Sequence, residues 1–183
     1  MSDIAAPPID RRVVRTREAL RTAFRELFFS RGYDDFGVAE IAERANIGRS
    51  TFYKHFDGKD DLLAWSLGHF LAVIAEACVN AAEPAGLVRV TSHFWENRGR
   101  ARFVFSGGGL VVLTRLLTAM IEDRLPRLGR SAFPQALAAR QLATAQLTLL
   151  DQWLQGRGSC APAELASAMH RSGYGAAKAL MTA

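Results

Sequence analysis

The stretch that decides the fold is residues 38–59, which read VAEIAERANIGRSTFYKHFDGK. Ile41 and Ala42 recur with Ala45 at helical spacing, so residues 38–45 are predicted to form a short helix with one apolar face. Asn46 and Gly48 then interrupt this pattern. Asn tolerates the left-handed backbone that ends a helix, and Gly starts the next helix without a steric penalty.

A second short helix is predicted after this turn, with Phe52 and Phe56 packed inward because they lie four residues apart. Two short helices joined by a three- or four-residue turn form a helix-turn-helix, whose second helix fits the DNA major groove. A helical hairpin with only a packing role would show the same apolar pattern. The outward side chains favour DNA, because they supply a guanidinium, hydroxyls, a phenol and an ammonium. They are Arg49, Ser50, Thr51, Tyr53 and Lys54.

Charge strengthens the DNA-binding interpretation. Residues 44–59 contain four basic side chains against the single carboxylate of Asp57. Upstream, residues 11–31 hold seven arginines against two glutamates, and their apolar residues fall on one helical stripe. Gly32 is a normal residue to follow such a helix. A basic amphipathic helix can lie on a membrane surface, but this apolar face is needed to cover the two short helices, so a core helix with phosphate-contacting arginines is favoured.

At this point the chain resembles the N-terminal domain of TetR-family transcriptional regulators. The resemblance rests on five segments in order: TREAL at 16–20, FFSRGY at 28–33, IAERA at 41–45, STFYKHF at 50–56 and KDDLL at 59–63. It implies an all-helical homodimer. Its N-terminal three-helix domain would bind double-stranded operator DNA, and a larger helical domain would bind a small effector and dimerise.

The resemblance also implies roles for individual residues. Bases or nearby sugar-phosphate would be contacted by Arg49, Ser50, Thr51 and Tyr53. Phosphates would be contacted mainly by Lys54, His55 and Lys59, with Thr16 and Arg17 at the start of the first helix. The chain departs from the family pattern at Gly37 and Gly48, where a capping hydroxyl is common, so these two glycines are left out of the candidate site.

Composition fits a DNA-binding protein of the cytoplasm. The chain has 183 residues and a net charge of +5, which favours polyanionic partners. Cys78 and Cys160 are isolated, so reduced thiols are expected and a disulfide or metal pair is not. Residues 1–10 lack the apolar run of a signal peptide, and no segment is expected to have the length of a membrane span. The sequence offers no cofactor motif or catalytic grouping, so no cofactor, metal site or enzyme activity is expected.

The rest of the chain is predicted to be helical, with no strand alternation, which makes the fold class all-α. Two domains are predicted, a helix-turn-helix domain over residues 10–57 and an effector-binding and dimerisation domain over 58–183. The triple glycine at 107–109 has no following Lys-Ser/Thr, so a helix junction is favoured over a phosphate loop. Helices are predicted near residues 58–82, 86–97, 99–105, 110–125, from 131–134 to 155, and from 162 onward.

The last two helices are predicted to form the dimer interface, each through one stripe of apolar and small residues. Both stripes would also suit a role in the chain's own core, and a four-helix contact across a two-fold axis would use one stripe from each helix. The stripes are Ala138, Leu142, Ala145, Leu149 and Trp153 in one helix, and Leu165, Met169, Gly173, Ala176 and Leu180 in the other.

An effector pocket is predicted among the aromatic side chains of the second domain, because aromatic-lined helical cavities suit apolar or aromatic ligands. The candidate lining residues are Trp65, His69, Phe94, Trp95, Phe103 and Met120. The rival interpretation of the whole chain is a helical binding protein whose basic face contacts a protein or a membrane surface.

Overall fold

The computed structural model describes residues 11–101, 103–105, 107–130 and 133–181. Over these residues the backbone is helical with no strand, so the predicted all-α class is confirmed. A 3-10 turn at Leu125–Leu128 follows the seventh helix. The helices are α1 (Arg11–Arg31), α2 (Val38–Arg44), α3 (Arg49–Tyr53), α4 (Lys59–Val79), α5 (Leu87–Glu96), α6 (Arg98–Ala101), α7 (Gly107–Arg124), α8 (Gln135–Leu154) and α9 (Pro162–Met181).

The N-terminal domain consists of α1, α2 and α3, whose buried side chains belong to the same hydrophobic core as those of the later helices. The apolar stripe of α1 is buried, as its amphipathic pattern predicts, and Leu20 and Phe24 are almost inaccessible to solvent. Phe24 packs edge-on against Tyr33 and Phe36 in the loop that leads to α2. Phe52 of α3 is fully buried. Because α2 and α3 are too short to be stable alone, the long α1 is what holds them in place.

The C-terminal bundle is organised around α4, which packs against α5, α7, α8 and α9 and also contacts α1. By length and composition α4 could cross a membrane, since it has 21 residues and a mean hydropathy of 1.8 over its most apolar window. This corrects the expectation that no segment has that length. The core helix of a soluble protein meets the same criterion, and Leu62, Leu63 and Ile74 are buried against neighbouring helices.

The triple glycine lies at a junction between two helices, as predicted, although the glycines themselves belong to the helix that follows. Gly107–Gly109 form the first turn of α7, which begins three residues earlier than the sequence suggested. Gly107 has a φ of +55°, a left-handed value that favours glycine. Part of the predicted start of the next helix, residues 131 and 132, lies outside the described residues, and α8 begins at Gln135 with Pro134 as its N-cap.

The predicted dimer stripes need correction, because several of their members lie inside the chain's own core. Leu142, Trp153 and Met169 are at most 3% exposed, and Gly173 is buried as well. A Cβ at Gly173 would lie 2.8 Å from Nε2 of Gln146 and 3.1 Å from Sγ of Cys78. These four residues therefore pack helices of one chain together. Of the other residues in the predicted stripes, Ala145 and Leu149 are exposed and Ala176 is half-buried.

Candidate nucleic-acid interface

The second helix of the helix-turn-helix, α3, is held by its two phenylalanines. Asn46 adopts a left-handed φ of +54°, as expected for the residue that ends α2. The carbonyl of Gly48 then accepts hydrogen bonds from the N–H groups of Thr51 (2.9 Å) and Phe52 (3.1 Å). Phe52 and Phe56 are buried, with ring centroids 5.9 Å apart. The opposite face of α3 consequently points to solvent.

That outward face carries most of the predicted base-contacting side chains. Arg49, Ser50 and Lys54 are exposed, and Tyr53 is 57% exposed. Thr51 is half-buried and lies at the side of the helix. The outward orientation predicted from helical periodicity is therefore confirmed for these residues, while their contacts with DNA remain a prediction.

Ion pairs within the domain leave the α3 surface positive. Three glutamates are neutralised by arginines, and in the described part of the chain Arg49 and Lys54 form no ion pair. Arg11 and Arg15, exposed at the start of α1, also have no carboxylate partner there. The neutralised pairs are Glu18–Arg21 at 2.6 Å, Glu26–Arg44 at 2.6 Å and Glu40–Arg31 at 2.5 Å.

Arg17 lies against α3 instead of extending into solvent. Its Nη2 donates a hydrogen bond to the carbonyl of His55 at 3.4 Å. Its Cζ lies 5.3 Å from the Phe56 ring centroid and 5.8 Å from that of Trp65. Its buried Nε has no hydrogen-bond partner. Arg17 therefore positions the C-terminal end of α3, while Thr16 and His55 are half-buried beside it.

Lys59 is half-buried and engaged with the protein itself, while its contact with phosphate remains a prediction. Its Nζ donates hydrogen bonds to the carbonyls of Tyr33 (2.6 Å) and Phe36 (2.9 Å). The same ammonium lies 4.1 Å from the Tyr33 ring centroid. Partial burial lowers the pKa of Lys59, although Asp34 and other nearby carboxylates oppose this shift. We infer that Lys59 fixes the start of α4 to the α1–α2 loop.

Two contacts join that loop to α7, and sequence reasoning missed both. The N–H of Gly108 donates a hydrogen bond to Oδ2 of Asp34 at 2.9 Å. A Cβ at Gly107 or Gly108 would overlap the Asp34 carboxylate. The hydroxyl of Tyr33 donates a hydrogen bond to one carboxylate oxygen of Asp60. The other oxygen of Asp60 pairs with Arg115 of α7 at 2.8 Å. The triple glycine was the only sequence signal for this junction.

The predicted effector-pocket residues do not converge on one cavity. Trp65 packs on Phe56 with ring centroids 5.6 Å apart, and Trp95 stacks on Trp153 at 4.5 Å. Phe103 is 37% exposed, and Met120 packs against the core from α7. Of the six, only His69 and Phe94 line the cavity that lies between α1 and the helices α4, α5 and α6.

The sequence missed this cavity because one of its walls belongs to the N-terminal domain. Phe24, Phe28 and Arg25 of α1 face His69 and Phe94 across it. Burial of part of the ring lowers the pKa of His69, and the nearby His93 and Arg21 lower it further. In the described residues no cluster of His, Cys, Asp and Glu is arranged to hold a metal ion.

Comparison with known proteins finds a similarity between the N-terminal part of this chain and bacterial regulators. Residues 20–64 match the family model of bacterial regulatory proteins of the tetR family. An uncharacterized HTH-type transcriptional regulator of Bacillus subtilis, YxbF, is 39% identical over 77 residues, or 42% of this chain and 20% of YxbF. The HTH-type regulator TcmR of Streptomyces glaucescens is 35% identical over 78 residues, which cover 42% of this chain and 33% of TcmR. The chain thus spans at most about a third of these two relatives.

Solved structures resemble the chain over almost its whole length. A TetR-family regulator from Streptomyces coelicolor has a TM-score of 0.63 at 20% identity, covering 94% of this chain and 98% of its own. A TetR regulator from Streptococcus agalactiae has a TM-score of 0.58 at 22% identity, covering 89% and 96%. At these identities the likeness shows a shared fold, consisting of a helix-turn-helix domain followed by a helical bundle.

Proposed function

We propose that the protein is a sequence-specific, DNA-binding transcriptional regulator of the TetR type, because residues 20–64 match the family model of bacterial regulatory proteins of the tetR family. One observation carries the proposal: α3 is fixed by buried Phe52 and presents Arg49, Tyr53 and Lys54 to solvent without carboxylate partners in the described chain. Direct readout of the major groove needs such a rigid helix with uncommitted donors. The proposed role is DNA binding in the cytoplasm, without catalysis.

A homodimer on a palindromic operator is part of the proposal. One recognition helix contacts too few base pairs to select a site in a genome, and two helices related by a two-fold axis read half-sites about 34–36 Å or a multiple apart. We assign the interface to the exposed faces of α8 and α9, which carry apolar and small residues. They include Leu137, Thr144, Ala145, Thr148 and Leu149 in α8, and Ser172, Gly175 and Ala179 in α9.

The regulator is proposed to act as a repressor that a small molecule releases. The cavity beside α1 supports this view, because a ligand there would touch both the N-terminal domain and the C-terminal bundle. A ligand shifts an equilibrium between two states by its difference in affinity for them. Contact with both domains is the simplest source of such a difference.

The test is selection of duplexes from a random pool by the full-length protein, followed by titration of the selected sequence. We expect a palindrome, bound at least a thousandfold more tightly than random duplex at physiological salt, and an affinity that falls steeply with salt. The double variant Arg49→Ala/Lys54→Ala should lose this preference, whereas Arg89→Ala, an exposed arginine on α5, should keep it. Equal binding to all duplexes, together with pelleting on anionic vesicles, would contradict the proposal and favour a membrane-surface protein.

A further inference from the structure

The cavity between the two domains has the size and walls of a binding site for one aromatic ring. Its volume is about 210 Å³, and an apolar cavity of roughly 150 Å³ already accommodates benzene. Its floor is apolar and almost completely buried. The residues of this floor are Phe24, Phe28, Leu63, Phe94, Ala101 and Val104.

The aromatic side chains of the wall present both faces and edges. The Phe70 ring stacks on His93 with centroids 4.9 Å apart and an interplanar angle of 20°. It is tilted by 53° to Phe94 at 5.3 Å. Aromatic pairs are favourable in offset-stacked and edge-to-face arrangements. A planar ring entering this cavity would find both arrangements without displacing the wall.

The rim of the cavity is cationic. Arg21 and Arg25 lie on it, and no described lining residue is an aspartate or a glutamate. Arg21 is paired with Glu18, but Arg25 has no carboxylate partner in the described chain and its side chain is exposed. Arg25 also lines an adjoining depression together with Arg100 of α6 and with Glu26, whose carboxylate pairs with Arg44. The anionic group of a ligand would therefore meet a guanidinium that is not already neutralised.

We propose that this cavity binds a small aromatic carboxylate, with its ring on the phenylalanine floor and its carboxylate paired with Arg25. A guanidinium binds a carboxylate through two parallel hydrogen bonds, which gives both affinity and orientation. His69 and Asn97 on the rim supply hydrogen-bonding groups for a ring substituent such as a hydroxyl. The role of this ligand as the effector rests on the proposed function. The binding of the ligand in the cavity does not depend on that function.

The route from this site to DNA passes along α1. Phe24 and Phe28 of α1 line the cavity, and Arg17 of the same helix packs against the end of α3. A ring between α1 and α5 thus contacts the helix that supports the recognition helix. If the cavity and the recognition helix are coupled through α1, ligand and operator must weaken each other's binding by the same factor.

Calorimetric titration of the full-length protein with benzoate and with benzamide, its neutral isostere, tests the site without DNA. We expect benzoate to bind at least tenfold more tightly. Arg25→Gln should abolish that preference, and Arg89→Gln on the exposed surface of α5 should keep it. Ser66→Phe, which places a ring in the cavity, should abolish binding of both compounds. Equal affinities, absent benzoate binding, or an unchanged preference in Arg25→Gln would overturn the proposal.

A second titration separates the ligand site from the proposed function. The palindrome selected from random duplexes is titrated with and without saturating benzoate, and we expect at least a fivefold loss of affinity that Arg25→Gln does not show. Benzoate binding with unchanged operator affinity would overturn the effector role and leave the binding site standing. Benzoate binding by a protein that selects no duplex would overturn the proposed function alone.

Discussion

At the scale of the residue, the basic side chains near α3 fall into two groups. Arg49 and Lys54 extend into solvent and form no ion pair in the described chain. Arg17 and Lys59 point into the protein, where their cationic groups contact backbone carbonyls and aromatic rings. The first pair is available to DNA, and the second supports the domain that presents it.

Substitution of Arg49 tests the first group. If its guanidinium donates to a guanine, Arg49→Ala should cost about 1–3 kcal/mol of operator binding and relax preference at one symmetric pair of positions. Titration of operators varied at each position measures both effects. An equal loss on operator and random duplex would identify Arg49 as a phosphate contact only.

Substitution of Lys59 tests the second group. Lys59→Met removes the donor that serves the carbonyls of Tyr33 and Phe36, so the free energy of unfolding should fall by about 1–3 kcal/mol. The salt dependence of DNA binding should stay unchanged. Lys54→Met is the matched control, because it should leave stability unchanged and lower the salt slope by about one per half-site. A lower slope for Lys59→Met would show it to be a phosphate contact.

At the scale of the element, the first turns of α7 and α2 make close contacts with other segments of the chain. The first turn of α7 approaches the Asp34 carboxylate so closely that only glycine fits. At the start of α2, where Gly37 provides no hydroxyl, Glu40 accepts the N–H of Gly37 at 3.0 Å and pairs with Arg31. A side chain from the third helical position thus supplies one half of a capping box, the half that serves the N–H of the N-cap residue.

The α7 start is tested by adding one methyl group. Gly108→Ala should lower the free energy of unfolding, because its Cβ would overlap the Asp34 carboxylate. Gly68→Ala in α4 is the control, since nothing lies within 4 Å of its Cβ, and it should stabilise by up to about 1 kcal/mol. Urea denaturation measures both. Asp34→Ala combined with Gly108→Ala should cost less than the sum of the single variants; strict additivity would contradict the contact.

The α2 start is tested by pH. The Gly37 N–H and the Arg31 guanidinium lower the pKa of Glu40. Because the pKa of Glu40 is lower in the folded than in the unfolded state, the unfolded chain binds more protons as pH falls. The stabilisation from the Glu40 carboxylate is therefore present above about pH 4.3, the usual pKa of a glutamate, and is lost below it. Between about pH 5 and about pH 3, the free energy of unfolding of Glu40→Gln should therefore fall less than that of the native protein. Identical pH profiles in urea denaturation would contradict the assigned cap.

At the scale of the whole molecule, the proposed DNA and ligand sites both depend on α1, whereas the proposed dimer surface lies on α8 and α9. The recognition helix depends on α1, and one wall of the cavity is α1 itself. The exposed faces of α8 and α9 lie on helices that pack on α7 and α4. On the proposed function, we expect operator affinity to depend on the cavity beside α1 and on the proposed dimer surface as well as on α3.

Dimerisation is tested at two neighbouring glycines of α9. Gly175→Arg should give a folded monomer with at least tenfold weaker operator binding, because Gly175 is exposed and nothing lies within 4 Å of its Cβ. Gly173→Ala should instead destabilise each chain, since its Cβ meets Gln146 and Cys78. Sedimentation velocity and a gel shift on the same samples measure these effects. Val111→Arg, on the exposed face of α7, should remain dimeric. A dimeric Gly175→Arg protein would refute the proposed interface.

The sequence by itself determined the helices and the outward face of α3. Both depend on local periodicity, since Phe52 and Phe56 share one side of a helix and Arg49 must then lie on the other. The turn at Asn46 is equally local, because it depends on the backbone preference of one residue.

The partner of each apolar face and of each charge is set by contacts between helices that are distant in the chain. Periodicity identified an apolar stripe in α8 but could not tell that Leu142 faces its own chain. Likewise, Lys59 acquires its acceptors from a loop more than twenty residues away, and the cavity joins Arg25 of α1 to His93 of α5. Such contacts arise when distant helices pack together, and no local pattern of residues encodes the pairing.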